Sequence, residues 1–309
     1  MDIFENKNIK PMLIGEESEA FNSKEFIYEL KLDGERCIAY LSKDSVELRN
    51  KRNMKMLIKV PELSEIHKQV KKRCILDGEL IVIKDGKPDF FEIQRRSLMS
   101  NTFKIKLAAE KYPASFTAFD ILYYEDYEVT KLLLMERKKL LQNTIKENER
   151  LAISRYIEEQ GIEFYKLAEK NNLEGIVAKK KDSRYYFDKR TKDWIKIKNL
   201  EDDDFVVCGY ILKKNNVVSI VLGQYKNSAL IYKGHVTLEG SNSNFNIIRT
   251  AEKARCPFTE LPSGNEDAVW IEVKLVCTVK YMMKTATGSL RQPVFKGLRD
   301  DKSPDECTI

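Results

Sequence analysis

The chain has 309 residues, of which 42% are hydrophobic and 33% charged, so it holds enough apolar material for two cores and is not an intrinsically disordered protein. A net charge of +6 is mild for a nucleic-acid binder but has the sign a polyanionic partner requires. The surplus lies entirely in residues 1–200, with 40 Lys+Arg against 34 Asp+Glu, whereas 201–309 carry 14 of each.

The first residues, Met1 to Lys7, lack an apolar core of signal-peptide length, and no stretch approaches the roughly 18 apolar residues of a membrane span. A soluble cytoplasmic, nucleoid-associated protein with no membrane partner is expected. Residues 26–40 read as extended, and within them Glu29-Leu30-Lys31-Leu32-Asp33-Gly34-Glu35-Arg36 would put Glu29, Lys31 and Asp33 on one face and Leu30 and Leu32 on the other. A lysine so placed is a candidate nucleophile, although Asp-Gly after a strand is also an ordinary hairpin turn.

Further strands are expected at 46–49, 75–83 and 116–124, interrupted by one helix over 61–70, where Leu63, Ile66 and Val70 recur at helical spacing behind Pro61. From about 131 to 172 the pattern predicts two helices, and strands return at 175–179 and 194–198. The acidic run Glu201-Asp202-Asp203-Asp204 reads as an interdomain linker over about 199–204, dividing a first domain, 1–200, from a second, 201–309. Beyond it, short strands at 205–210, 217–225, 230–238 and 269–282 with polar turns suit a small β-barrel. Six scattered cysteines with no Cys-x-x-Cys pair and two histidines argue against zinc and for buried free thiols.

Glu79 lies inside Cys74-Ile75-Leu76-Asp77-Gly78-Glu79-Leu80-Ile81-Val82-Ile83, where a charge needs a reason. Lys196 and Lys198 alternate with Ile195 and Ile197, so both ammonium groups face one side of a strand. Phe119, in Phe116-Thr117-Ala118-Phe119, taken alone reads as core.

In order along the chain, the Lys31 octet, Asp77-Gly78-Glu79-Leu80, Phe119-Asp120-Ile121, Glu174-Gly175-Ile176-Val177, Trp194 to Lys198 and Arg299-Asp300-Asp301-Lys302 resemble the motif set of the covalent nucleotidyltransferases. The likeness is greatest to ATP-dependent DNA ligases, and the tail Arg291 to Cys307 resembles the ligase module of bacterial non-homologous end-joining ligases. That resemblance implies an α+β nucleotidyltransferase (adenylation) domain with mainly antiparallel sheets, followed by an all-β OB-fold barrel. It also implies that Lys31 attacks the α-phosphorus of ATP and carries AMP. A free lysine has a pKa of about 10.4, so neighbouring cations or desolvation must hold the amine neutral.

The same resemblance gives Lys196 and Lys198 to the α-phosphate, and Glu79 and Glu174 to a divalent cation, Mg²⁺ or Mn²⁺, for which two carboxylates suffice. It gives Phe119 to stacking on adenine, Glu29 to the adenine amino group, and Asp33 to the nucleotide pocket. Arg36 and Arg49 would meet the ribose and the DNA 5′-phosphate, and Arg299, Asp301 and Lys302 would orient the leaving pyrophosphate. Closure and reopening of the two domains about the acidic linker are implied. The expected partner is nicked or broken duplex DNA, bound by a monomer with its two domains alone or with a Ku-like end-bridging protein.

RNA ligases and mRNA-capping guanylyltransferases share much of the set, but Glu29 and the Arg299 to Lys302 tail favour a DNA ligase. NAD-dependent ligases fit less well, because 30 residues precede Lys31 and the four-cysteine zinc module is missing. A reading from another class is a non-catalytic OB-fold protein that binds nucleic acid.

Overall fold

The computed structural model describes residues 2–84, 86–285 and 288–309. The chain divides into two compact units, Met1–Asn199 and Leu200–Ile309. In chain order the first contains α1 (Ile3–Asn6), β1 (Leu13–Glu17), β2 (Phe26–Leu30), β3 (Glu35–Leu41), β4 (Val46–Asn50), β5 (Cys74–Lys84), β6 (Lys87–Pro88), α2 (Phe90–Leu98), α3 (Thr102–Lys111) and β7 (Ala114–Tyr124). It continues with β8 (Tyr127–Glu128), α4 (Leu134–Thr144), β9 (Leu151–Ile153), β10 (Tyr156–Glu158), α5 (Gly161–Lys170), β11 (Gly175–Lys180) and β12 (Arg190–Lys198).

These strands form two sheets. One runs β1-β12-β11-β2-β10, and the other β4-β3-β5-β7-β8 with β6 on β5 and β9 on β7. Pairing is antiparallel except β1 with β12 and β7 with β9. Alternation along β3 sorts its side chains between two cores: Cys37, Ala39 and Leu41 pack with Leu76, Phe116 and Leu141, whereas Ile38 and Tyr40 pack with Leu122, Val177 and Trp194. The second of these cores lies between the sheets. On the outer face of the smaller sheet, Tyr28, Ile176 and Ile197 pack with Phe164 and Ala168 of α5.

In the second unit β13 (Glu201–Leu212), β14 (Val217–Lys226) and β15 (Ala229–Glu239) precede α6 (Ser243–Thr250), β16 (Val269–Trp270), β17 (Val276–Tyr281), β18 (Met283–Lys284), β19 (Leu290–Arg291) and β20 (Val294–Arg299). The sheet order is β15-β14-β13-β17-β20 with β16 on β13, and β18 pairs with β19. Its core gathers Phe205, Ile220, Leu222, Val279 and, from α6, Phe245.

Several expectations change. The acidic run is not a linker: Glu201 to Asp204 form the start of β13, opposite Tyr281 to Thr278 of β17. The 26–40 stretch is not one strand, because β2 stops at Leu30 and residues 31–34 form a connection. Residues 61–70 make two short 3-10 turns, Pro61–Leu63 and Ile66–Gln69, in place of one helix, and Val70 is already extended. The helices α2, α3 and α6 were not foreseen, and two short strands separate the two helices expected over 131–172. Cys37, Cys74, Cys208, Cys277 and Cys307 are buried and Cys256 half-buried, all as free thiols. Among the described residues no helix is long and apolar enough to cross a membrane.

Candidate active site

Two glycines let the 31–34 connection approach its neighbours. Gly175 adopts φ +134°, and a Cβ there would stand 2.1 Å from the Ile197 carbonyl oxygen. Its own carbonyl accepts the Lys31 amide at 2.9 Å, extending the β2–β11 ladder one bond past the strand end. A Cβ on Gly34 would lie 2.2 Å from the Leu80 carbonyl oxygen, so only glycine lets the connection sit against β5 beside Glu79.

Lys31 Nζ lies 2.5 Å from Glu174 Oε1, with the lysine side chain 22% exposed and the glutamate 3%. Glu79 stands in the same field. Burial pushes its carboxyl up to about 8, with Lys31 and Arg36 opposing the shift and Glu174 and Asp77 adding to it. Glu174 thus pairs with the ammonium and Glu79 lies within its electrostatic reach, two oxygen donors of the kind that a divalent cation keeping most of its waters would take. Among the described residues no group of three or more His, Cys, Asp or Glu forms a closed metal cage.

On β12, Lys198 pairs with Gly175 and Lys196 with Val177. Their ammonium groups reach Glu17 Oε2 of β1 at 3.6 and 2.9 Å. Burial disfavours a charge on Glu17, but its bond to Lys196 and the Lys198 ammonium outweigh this and keep the carboxyl below its ordinary value.

Glu29 has counter-ions of its own. It is buried on β2, with Lys138 of α4 at Oε1 and Lys179 of β11 3.1 Å from Oε2. Burial opposes ionisation, yet the two ammonium groups hold the carboxyl below its usual range. Lys179 also sits 4.4 Å from the ring centroid of Phe119 and 4.1 Å from that of Trp194. Burial pulls it down to about 8 against the attraction of Glu29, with Lys138 adding repulsion.

Arg36 forms a two-pronged bond to buried Asp77, at 3.0 Å from Nε and 2.6 Å from Nη2, and lies 5.4 Å from the Phe119 ring centroid. The Tyr185 hydroxyl donates to the same carboxylate at 2.7 Å. Arg49, on edge strand β4, is held by Glu47 and by the Asn53 carbonyl at 3.0 Å. Asp33 is half-buried in the connection itself.

In the second unit the candidate tail residues are held by the acidic strand and by one another. Arg299 grips Asp301 with two bonds of 2.6 Å, and Asp204 accepts Lys302 at 2.8 Å and Thr278 Oγ1 at 2.6 Å. The Arg299 bond draws Asp301 down to about 2.

The sequence reading missed Lys138, Lys179, Glu17 and Tyr185. Lys179, a charge ending the apolar run Gly175-Ile176-Val177-Ala178, carried a signal like that of Glu79; Lys138, inside Arg137-Lys138-Lys139, carried none.

The family model for the ATP dependent DNA ligase domain matches residues 11–198, and that for the ATP dependent DNA ligase C terminal region matches 213–302. The chain belongs to the ATP-dependent DNA ligase family. Among relatives of the ligase, the SPbeta prophage-derived DNA ligase-like protein LigB of Bacillus subtilis is 29% identical over 294 residues, covering 94% of this chain and 99% of LigB. The multifunctional non-homologous end joining DNA repair protein LigD of Mycobacterium tuberculosis is 26% identical over 98% of this chain, which spans 40% of LigD. The solved structure of mycobacterial DNA ligase D complexed with ATP and MES superposes with a TM-score of 0.57 at 25% identity, covering 98% of both chains. The architecture of the ligase is therefore a nucleotidyltransferase domain followed by an OB-fold domain.

Proposed function

We propose that the ligase seals 5′-phosphate/3′-hydroxyl breaks in duplex DNA through AMP carried on Lys31. The observation that carries this reading is the pairing of Lys31 Nζ with buried Glu174 at 2.5 Å, where the nucleophile's backbone is tied to Gly175 beside Lys198. The amine must shed a proton to attack, and the Glu174 carboxylate orients it until it does. A nitrogen–phosphorus bond forms at the α-phosphorus of ATP while the bond to the β-phosphate oxygen breaks and pyrophosphate leaves.

Lys196 and Lys198 bind phosphate oxygens in exchange for Glu17, and stabilise the charge that develops during transfer. Phe119 and Glu29 receive the adenine, and Asp33 and Arg36 border the nucleoside. Glu79 and Glu174 fit Mg²⁺ or Mn²⁺, since the carboxyl pushed up to about 8 by burial is one a cation would return to its ionised form. Such an ion, when bound, neutralises phosphate charge. Arg299, Asp301 and Lys302 orient the leaving pyrophosphate. AMP then passes from Lys31 to the DNA 5′-phosphate, held by Arg49, and the 3′-hydroxyl displaces it; each step is an in-line transfer governed by positioning.

Incubation with α-labelled ATP and Mg²⁺ tests the reading: the wild type becomes labelled and seals a nicked duplex, and Lys31→Ala does neither. Label that persists on Lys31→Ala, or loading from GTP or NAD in place of ATP, would overturn it. We further propose that the ligase acts as a monomer in end joining beside a Ku-like end-bridging protein. Sealing of cohesive ends that is equally fast with and without such a partner counts against that pathway.

A further inference from the structure

Helices α2 and α3 follow one another across residues 99–101, and α2 is tied to the residue that follows the Lys31 connection. Ser97 of α2 donates to Glu35, the first residue after the 31–34 connection, and Asn50, next to Arg49, donates to the other oxygen of Glu35 at 2.8 Å. Side-chain bonds fix both helices. Asp89 and Asn101 cap the two helices at 2.9 and 3.0 Å, and buried Arg96 bridges Glu62 to the carbonyls of Ala108 and Tyr112. The Lys59 ammonium holds the turn at the Met99 carbonyl.

Residues 98–107 expose large apolar side chains to water. Leu98, ending α2, is 82% exposed; Phe103, across the turn, is 67% exposed, and Leu107, one helical turn on, 49%. Single exposed apolar residues need no explanation, but three large ones within one short segment call for one. Lys104 and Lys106 are exposed in the same segment, as is Arg95, which pairs with Glu92, and Glu110 is the exposed acid further along α3. Apolar and cationic side chains exposed together match a nucleic-acid duplex, whose sugars and groove floor offer apolar surface between rows of phosphates. A protein partner would account for the apolar residues without requiring the cations or the tie to Glu35.

We infer that the α2–α3 segment is a docking element for duplex DNA at the break, with Leu98 and Phe103 against sugars and base edges and Lys104 and Lys106 on flanking phosphates. The inference rests on the ligase reading. Two double variants test it, Leu98→Ser/Phe103→Ser and Lys104→Ala/Lys106→Ala, all at exposed positions. Both should load AMP from labelled ATP at the wild-type rate.

The first should bind a fluorescent nicked duplex about tenfold more weakly at fixed salt, the scale on which removal of a few apolar anchors from an interface acts. The second should lower the slope of log affinity against log salt by about 0.9 for each phosphate that is no longer neutralised. Wild-type affinity and slope in both variants would overturn the inference while leaving the ligase reading intact, and would give the segment to a protein partner. Failure of the wild type itself to bind nicked duplex would overturn both.

Discussion

Replacing Lys179 by methionine probes the buried Glu29–Lys138–Lys179 group directly. In the folded chain burial lowers Lys179 from 10.5 to about 8, so between these values the unfolded chain holds a proton that the folded chain has released. Stability therefore rises with pH across that window; the lysine's full contribution is present above 10.5 and is lost as pH falls through about 8. At 1.36 kcal/mol per unit the swing is at most about 3 kcal/mol, and the share between pH 7.5 and 10 is about 2 kcal/mol. Lys179→Met removes this slope whatever it does to absolute stability. Guanidinium unfolding followed by tryptophan fluorescence in a Trp270→Phe background reports Trp194, which lies 4.1 Å from the lysine, and so isolates the first unit. A wild-type minus variant difference that stays within about 0.5 kcal/mol from pH 7.5 to 10 would refute the reasoning.

Gly175→Ala combines a strained backbone with a Cβ 2.1 Å from the Ile197 carbonyl oxygen. It should cost about 3 kcal/mol in the same unfolding assay, and a loss below about 1 kcal/mol would contradict the geometry. Glu17→Gln takes from Lys196 and Lys198 a carboxylate that is 43% exposed. Stability should move by less than about 1 kcal/mol and ATP affinity, measured by calorimetry, should tighten by a factor of up to about five; weaker binding would show that Glu17 assists the nucleotide instead. Arg299→Ala/Lys302→Ala should slow AMP loading about 100-fold or more while sparing the sealing of DNA that is already adenylylated, and equal losses in a two-substrate gel assay would remove these residues from the first step.

Charges in apolar company were the most legible part of the sequence. Glu79 stood out because its apolar neighbours along the strand made ionisation costly, and burial does push it up to about 8. The alternation of Lys196 and Lys198 followed from the period of a strand, and both reach one carboxylate. What stayed hidden depended on partners distant in sequence. Four consecutive carboxylates read as a solvated spacer, and only pairing with Thr278 to Tyr281 of β17 makes them a strand, on which Asp204 meets Thr278, Arg299 and Lys302. The helix α2 also went unread; the Asp89 cap and Arg96, which reaches the Ala108 carbonyl, hold it in place. Glu29 and Lys31, two residues apart, have different counter-ions that the sequence did not reveal, Lys138 and Lys179 for the one and Glu174 for the other.

The tether of Lys31 to Gly175 separates location from charge. Its amide hangs from a main-chain carbonyl, whereas its ammonium is matched by the side chain of Glu174. On the proposed reading, chemistry at the nitrogen breaks the second link, since an amine bonded to phosphorus no longer offers a full cation to the carboxylate. The first link survives. The loaded and unloaded nucleophile can therefore occupy one address, and a turnover would exchange the ionic partner without rebuilding the loop that presents it.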